Sequence, residues 1–106
     1  MKPLFTILLI LSLMFLCEEV FANPVKEKFD QAMTAFRKGQ YELSVKLFEE
    51  TLQMYPQLAQ AYNFMGMAKM EMGASTDDVI ALFEKAIELE PGLALAYDNL
   101  GKIYYG

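Results

Sequence analysis

Apolar side chains recur every three or four residues over most of the chain beyond residue 24, which is the spacing of one face of an α-helix. Two such stripes are clear, and their members are Tyr41, Val45, Phe48 and Leu52 and, further along, Val79, Leu82, Phe83, Ala86 and Ile87. The pattern predicts five helices, placed near residues 25–38, 41–55, 58–72, 76–89 and 93–105. The fold class is therefore all-α, and the short connections make successive helices antiparallel hairpins.

The breaks between the stripes carry residues typical of turns and helix ends. "KGQ" at 38–40 and "GAST" at 73–76 contain glycine and small polar residues that interrupt a helix. Ser75 and Asp78 have the spacing of a capping box, which predicts a helix start at this point. Pro56 and Pro91 close the second and fourth helices, because proline cannot continue a helix.

The sequence repeats itself at an offset of 35 residues. "AYNFMG" at 61–66 returns as "AYDNLG" at 96–101, and "FEETLQMYP" at 48–56 returns as "FEKAIELEP" at 83–91. Two separated blocks agree at one offset, so a repeated packing unit explains them better than a shared catalytic site.

The pattern resembles the tetratricopeptide repeat (TPR) family. In that family the first helix of each hairpin carries an aromatic residue, then Leu-Gly, then Tyr, and the second carries Ala and Phe before a closing proline. The corresponding residues here are Tyr62, Gly66, Phe83, Pro56, Pro91, Tyr97, Leu100, Gly101 and Tyr104. The resemblance covers about two and a half repeats, near 25–58, 59–93 and 94–106.

The resemblance implies hairpins stacked as a short right-handed α-solenoid with a concave face. It also implies that Gly66 and Gly101 let the first helix of a hairpin approach its neighbour with no side chain between them. The first unit departs from the signature on its first helix, where the signature places hold Lys28, Gln31, Ala32 and Ala35. The second unit has one extra residue, which we expect in the "MGAST" turn.

The first helices of the hairpins would line the concave face and bind a peptide or a partner helix, as the resemblance implies. The candidate partner-binding residues are Phe29, Met33, Phe36, Asn63, Met67, Met70, Asp98 and Lys102, and the same inner positions include Lys26, Gln60, Leu95 and Tyr105. Flexible methionines and phenylalanines favour an apolar or amphipathic peptide, with Asn63 available to fix a backbone amide. As an alternative, Phe29, Met33 and Phe36 are core residues of a terminal helix.

Some TPR proteins hold acidic C-terminal tails in a clamp of Lys, Asn and Arg side chains. The corresponding places here are Phe29, Met33, Phe64, Leu95 and Asn99. None of them is a cation, so the resemblance does not extend to this chaperone-tail function.

Composition excludes several classes of function for residues 23–106. This segment contains no histidine and no cysteine, so a Ser–His–Asp triad, a cysteine nucleophile and a zinc site with thiolate or imidazole ligands are ruled out. The acidic pairs Glu49–Glu50 and Asp77–Asp78 are adjacent on helices and point in different directions. Eight basic and twelve acidic residues give a net charge near −4, which does not favour nucleic acid. We therefore expect neither an enzyme nor a cofactor.

The first 22 residues read as a secretory signal peptide. Lys2 precedes an apolar run of 13 residues, Leu4 to Leu16, and Val20 and Ala22 occupy the small-residue positions of a cleavage site after Ala22. The run is shorter than the ~20 residues that span a bilayer. The alternative is an uncleaved membrane anchor, the one case in which we expect a membrane partner.

The last predicted helix lacks a second helix to complete its hairpin. Its apolar residues, such as Leu100 and Ile103, would then be exposed, and patches of this kind usually mark an interaction site. Three explanations compete: the helix caps the stack, it pairs with a second copy as a homodimer, or the sequence is a truncated form of a longer protein.

The sequence as a whole predicts an exported protein–protein interaction module that acts as a scaffold or adaptor. A bacterial periplasm or envelope is the expected location, with secretion as the alternative. The competing functions are a small enzyme or ligand carrier, which no group of residues supports, and a structural subunit of an envelope complex.

Overall fold

The computed structural model describes Thr6, Ile7, Leu9, Ile10 and residues 23–106. Residues 23–106 form five α-helices: α1 Pro24–Arg37, α2 Tyr41–Met54, α3 Ala59–Glu71, α4 Thr76–Leu89 and α5 Ala94–Tyr105. The all-α prediction is confirmed, and every helix boundary agrees with the sequence prediction to within one residue. The four described residues before 23 are also helical.

The predicted signal peptide lies mostly outside the described residues, and so does its cleavage position at Ala22. Its prediction therefore rests on the sequence alone. Across the described part of the chain, no helix combines the length and the apolar character that a membrane crossing requires.

The helices pack as neighbouring pairs, which confirms the predicted helical repeat solenoid. α1 pairs with α2, α3 with α4, and each pair packs against the next through α2–α3 and α4–α5 contacts. The odd-numbered helices also contact one another, α1 with α3 and α3 with α5. Within residues 23–106 no Cα atom of α2 lies within 8 Å of a Cα atom of α4. The row of helices therefore curves with the odd-numbered helices on its inner side.

The helix ends follow local sequence rules. Asn23 caps α1 by accepting a hydrogen bond from the backbone amide of Lys26 at 3.2 Å. Ser75 caps α4 by accepting one from the amide of Asp78 at 3.3 Å, which confirms the predicted helix start. Both caps satisfy backbone donors that a helix leaves unpaired in its first turn.

The first helix of each complete hairpin ends in the same turn. Gly39 and Gly73 adopt positive φ angles of 75° and 77°, a backbone region that glycine enters without strain. The amides that follow them donate back five residues, to Ala35 and Lys69, which is the Schellman pattern. These glycines lie 34 residues apart, whereas α2 and α4 begin 35 residues apart. The extra residue of the second unit is therefore in the "MGAST" turn, as predicted.

The core is built from phenylalanines of the outer helices set against alanines of the inner ones. Phe48 of α2 and Phe83 of α4 are fully buried, and so are Ala32 and Ala61. Small residues on α1 and α3 let the helix backbones come close, and the rings fill the remaining space. Ser44 adds a buried hydrogen bond across the first hairpin, because its hydroxyl donates to the carbonyl of Ala32 at 3.1 Å.

Gly66 has the packing role that the repeat pattern predicts. A Cβ atom built at Gly66 would lie 2.7 Å from Cε1 of Phe83, which is closer than real carbon atoms approach. The same prediction for Gly101 is wrong, because a Cβ at Gly101 would meet no atom within 4 Å. The physical reason is that no helix among the described residues covers this side of α5.

The other signature residues divide in the same way. Tyr62 on α3 is partly buried, and the two closing prolines, Pro56 and Pro91, lie exposed in the turns after α2 and α4. On α5, Leu100 is partly buried while Tyr97 and Tyr104 are exposed. The signature thus forms a packed hairpin in the second unit and an uncovered helix face in the third.

Candidate functional site

A groove opens between α1 and α3 on the inner side of the helix row. Its volume is about 480 Å³, and its lining is mostly apolar. We call it the α1–α3 groove; the residues that line it are Asn23, Val25, Lys26, Phe29, Tyr55, Leu58 and Gln60. A groove with apolar walls and a few polar groups at its edge is the usual form of a site for a peptide side chain.

Three pieces of backbone bring these residues together. The first turns of α1 place Asn23, Val25 and Phe29, the turn between α2 and α3 places Tyr55 and Leu58, and the first turn of α3 places Gln60. Tyr55 follows the last residue of α2 with extended backbone angles, φ −142° and ψ 91°, which ends the helix just before the proline. Because this turn connects two successive hairpins, the groove lies at the junction of the first and second repeats.

Phe29 and Phe36 of α1 belong to an aromatic cluster. The ring of Phe29 lies edge-on to Phe48 at 5.7 Å and to Phe64 at 6.4 Å. Phe36 lies edge-on to Phe64 at 5.8 Å and to Tyr41 at 5.7 Å. Edge-to-face pairs at these distances are favourable packing contacts.

The structure supports the alternative interpretation of the α1 candidates as core residues, and their partner binding stays a prediction. Phe29, Met33 and Phe36 are partly buried and pack against the core. Among these three, only Phe29 also lines the α1–α3 groove. Phe29 is thus a core residue with one side open to the groove.

Asn63 is not an exposed inner residue, and that expectation is corrected. Its side chain is fully buried, with 0% exposure, between α3 and α5. The Nδ2 atom of Asn99 donates to Oδ1 of Asn63 at 2.9 Å. The side-chain amide of Asn63 was expected to bind the backbone of a ligand, and it is instead hydrogen-bonded to Asn99 of α5. The sequence hid this pair because the two asparagines lie 36 residues apart, one more than the repeat offset.

The methionines of α3 have different environments. Met67 is partly buried, and its sulfur accepts a weak hydrogen bond from Nδ2 of Asn63 at 3.9 Å. Met70 is exposed near the end of the helix. Neither residue lines the α1–α3 groove, so the predicted inner positions do not converge on one place.

The charged candidates on α5 are exposed and pair with each other. Lys102 contacts Asp98 at 3.5 Å, one helical turn apart. Surface pairs of this kind contribute little to stability, so both side chains are free to exchange this contact for another. They are also remote from the α1–α3 groove, whose lining contains neither.

The electrostatics at the groove are set by one lysine at its edge. Lys26 donates to Asp30 at 2.7 Å. This hydrogen bond, and then the attraction of the carboxylate charge, raises the pKa of Lys26 above its ordinary value of 10.5. Lys26 is therefore a permanent cation at neutral pH.

The described residues contain no cluster of metal ligands. In this part of the chain no group of three or more His, Cys, Asp or Glu side chains is placed to hold a metal ion. The side chains that line the α1–α3 groove include one cation and no carboxylate, thiol or imidazole.

Sequence reasoning missed Val25, Tyr55 and Leu58 as site residues. The available signal was the apolar residues on both sides of Pro56, in "MYPQL" at 54–58. Apolar side chains next to a turn proline have no helix face to occupy, and here two of them form a wall of the groove.

Comparisons with known proteins bear on the fold. No protein-family model matches the chain, and no curated protein does. Among solved structures, the chain is similar to the TPR2AB domain of yeast Sti1 in its complex with pHSP90, with a TM-score of 0.65 and 27% sequence identity. The match covers 81% of this chain and 34% of the yeast chain, so this chain spans about a third of that structure's length. From its paired helices, its glycine-to-phenylalanine packing and this structural match, we conclude that the chain is a TPR-like helical repeat protein.

Proposed function

We propose that the protein is a non-enzymatic protein–protein interaction module that binds an apolar or amphipathic peptide segment in the α1–α3 groove. The observation that carries the proposal is the groove itself, an opening of about 480 Å³ with apolar walls at the junction of two repeats. Val25, Phe29, Tyr55 and Leu58 supply the apolar surface. Asn23, Lys26 and Gln60 supply donors that can orient a peptide backbone or a carboxylate.

The yeast domain of similar fold was solved in complex with pHSP90, which supports a protein ligand for this fold. The places of the tail-binding clamp differ here. Phe29, Met33 and Phe64 are partly buried against the core, and Asn99 is buried and donates a hydrogen bond to Asn63. We therefore propose an apolar segment as the ligand in place of an acidic tail.

Tyr55 and Tyr97 form a matched pair of variants for testing the groove. Their exposures are similar, 47% and 51%, but only Tyr55 lines the groove. The full chain is used to select peptides from a displayed random library. Tyr55→Ala should lower the affinity for the selected peptides about five- to tenfold, as expected for an aromatic side chain at an interface. Tyr97→Ala should leave that affinity unchanged.

Two results would contradict the groove proposal. In one, the library yields no binder. In the other, the selected peptides lose affinity equally in both tyrosine variants, which would mean that they bind elsewhere or respond to general destabilisation.

Export is the second part of the proposal, and it is supported by the N-terminal sequence of Lys2, an apolar run and small residues at 20 and 22. The role would then be that of a scaffold or adaptor in a periplasm or envelope, or outside the cell. N-terminal sequencing of the mature protein should give Asn23 as the first residue. If the mature protein begins at Met1, the N-terminal segment is an uncleaved membrane anchor instead of a cleaved signal peptide.

A further inference from the structure

A second pocket opens at the far end of α1 and α3 from the α1–α3 groove. The groove lies at the start of these two helices, whereas the second pocket lies where the turn after α1 meets the end of α3. Because α3 has 13 residues that rise about 1.5 Å each, the two sites are about 20 Å apart. We call the second site, whose volume is about 540 Å³, the acidic pocket; the residues that line it are Gly39, Gln40, Tyr41, Glu42, Leu43, Glu71 and Met72.

Local hydrogen bonds fix the backbone on both sides of the acidic pocket. On one side, Gly39 turns the chain with a φ of 75°, and the amide of Gln40 donates to the carbonyl of Ala35. On the other side, α3 ends at Glu71, and the amide of Met72 donates back into the last turn of the helix. The pocket is therefore formed by two ordered helix ends, one from the first repeat and one from the second.

The acidic pocket carries two carboxylates that have no ion-pair partner in the described part of the chain. Glu42 at the start of α2 and Glu71 at the end of α3 are both exposed. Neither forms a salt bridge with a lysine or arginine among the described residues, and the described lining of the pocket includes no cation. The α1–α3 groove has the opposite character, with one lysine and no carboxylate in its lining. The acidic pocket therefore attracts a cationic group.

The helix dipoles act differently on the two carboxylates. Glu42 is in the first turn of α2, where the dipole favours a negative charge. Glu71 is the last residue of α3, where the carbonyl groups of the helix end carry partial negative charge and repel a carboxylate. A cation bound beside both side chains would offset the repulsion at Glu71.

Exposed apolar side chains lie beside the carboxylates. Leu43 and Met72 are each 46% exposed, and both line the pocket. Tyr41 is partly buried, and its ring lies edge-on to Phe36 at 5.7 Å, so it forms a fixed wall. Methionine adapts its shape to different neighbours, and arginine and lysine carry long aliphatic stems below a charged head group. The combination of carboxylates and apolar surface therefore matches a basic side chain that lies next to an apolar one.

We propose that the acidic pocket binds a basic segment of a partner protein. In this segment an arginine or lysine head group contacts Glu42 and Glu71. An apolar side chain next to it covers Leu43 and Met72. The ligand is a peptide segment and not a free cation, because a free cation would leave the apolar side chains exposed. The site is separate from the α1–α3 groove and does not depend on peptide binding there.

Selection from a displayed random peptide library tests the acidic pocket. The bait is the full chain carrying Tyr55→Ala, so that binding in the α1–α3 groove does not dominate the selection. The selected peptides should be enriched in arginine or lysine next to an apolar residue. Their affinity for the unaltered chain should equal their affinity for the Tyr55→Ala bait, because Tyr55 does not line the acidic pocket.

Glu71→Lys and Glu84→Lys are matched variants, because each changes the net charge by the same amount. Glu84 is exposed on α4 and is not among the residues that line the acidic pocket. Glu71→Lys should lower the affinity for the selected peptides about tenfold or more, whereas Glu84→Lys should change it less than about twofold. A lysine at the end of α3 is favoured by the helix dipole, so Glu71→Lys should melt no lower than the parent chain.

Two further measurements locate the binding. Met72→Ser removes part of the exposed apolar surface and should lower the affinity for the selected peptides about three- to tenfold. When a selected peptide is added to the full chain, NMR amide shifts should be large at Gly39, Glu42 and Met72 and small at Tyr55.

Three results would overturn the proposal. In the first, the selected peptides show no enrichment in basic residues. In the second, they lose affinity equally in Glu71→Lys and Glu84→Lys, which would show a general attraction to an acidic chain. In the third, they bind Met72→Ser as tightly as the parent chain and cause no amide shifts at the pocket, which would place the binding elsewhere.

Discussion

Replacing Gly66 and Gly101 by alanine adds the same methyl group at equivalent places of two repeats, and we expect the two variants to differ in stability by about 1–3 kcal/mol. Gly66→Ala should be the less stable one. Its new Cβ would lie 2.7, 3.0 and 3.2 Å from three carbons of the Phe83 ring. That ring is fully buried, so it cannot swing into solvent to relieve the overlap.

The comparison isolates the clash from the ordinary preference of helices for alanine. Alanine is favoured over glycine inside a helix by up to about 1 kcal/mol, and this term is present at both positions. At Gly101 nothing opposes it, because the added methyl meets no atom within 4 Å. Gly101→Ala should therefore be as stable as the parent or more so. At Gly66 the overpacking cost of about 1–3 kcal/mol is set against the same gain.

The assay is thermal and urea unfolding of the full chain, followed by circular dichroism at the helix band. For a domain of this size, 1 kcal/mol corresponds to about 4–8 °C in melting temperature, so the two variants should melt at least about 4 °C apart. Equal melting temperatures, or a more stable Gly66→Ala, would refute the packing of Phe83 on Gly66.

Three further predictions concern two buried hydrogen bonds and the raised pKa of Lys26. Asn99→Ala leaves the buried carbonyl of Asn63 without its partner and should cost about 1–3 kcal/mol in urea unfolding, while the double alanine variant costs less than the sum of the two single ones. Ser44→Ala removes a buried bond whose acceptor is a helix carbonyl, and should cost about 0.5–1.5 kcal/mol by the same method. Because Asp30 raises the pKa of Lys26, the interaction is present below pH 10.5 and is lost as pH rises through the higher folded value. An Asp30→Asn variant should bring that pKa back toward 10.5 in an NMR titration of the lysine side chain, and an unchanged pKa would contradict the assignment.

Helices and turns could be predicted from the sequence because their causes are local. A helix end depends on residues within a few positions, such as a capping serine three residues before an amide, a glycine after a helix or a proline in the turn that follows it. The repeat offset added non-local information at Gly66, since it indicated that Phe83 belongs to the same hairpin. The structure confirmed the helix ends and the contact between Gly66 and Phe83.

The candidate site was harder to predict, because its residues are sorted by contacts that no local pattern encodes. α1 has phenylalanines on more than one side, and periodicity alone does not decide that Phe36 packs on Phe64 while Phe29 also faces the groove. The repeat offset of 35 residues aligns Asn63 with Asp98, but Asn63 is hydrogen-bonded to the next residue, Asn99. Helical periodicity does not reveal Tyr55 and Leu58, because these turn residues lie outside the apolar faces of the helices.

The contact pattern of the helices has a consequence for how the molecule comes apart. Each helix in residues 23–106 contacts only helices one or two places away along the chain. Such a chain behaves as a row of coupled units, in which folding spreads from neighbour to neighbour and few distant segments must find each other first. Amide hydrogen exchange should then be slowest in α3, which has helices on both sides, and fastest in α5, which forms one end of the row. Mechanical unfolding or limited proteolysis of this segment should therefore begin at α5.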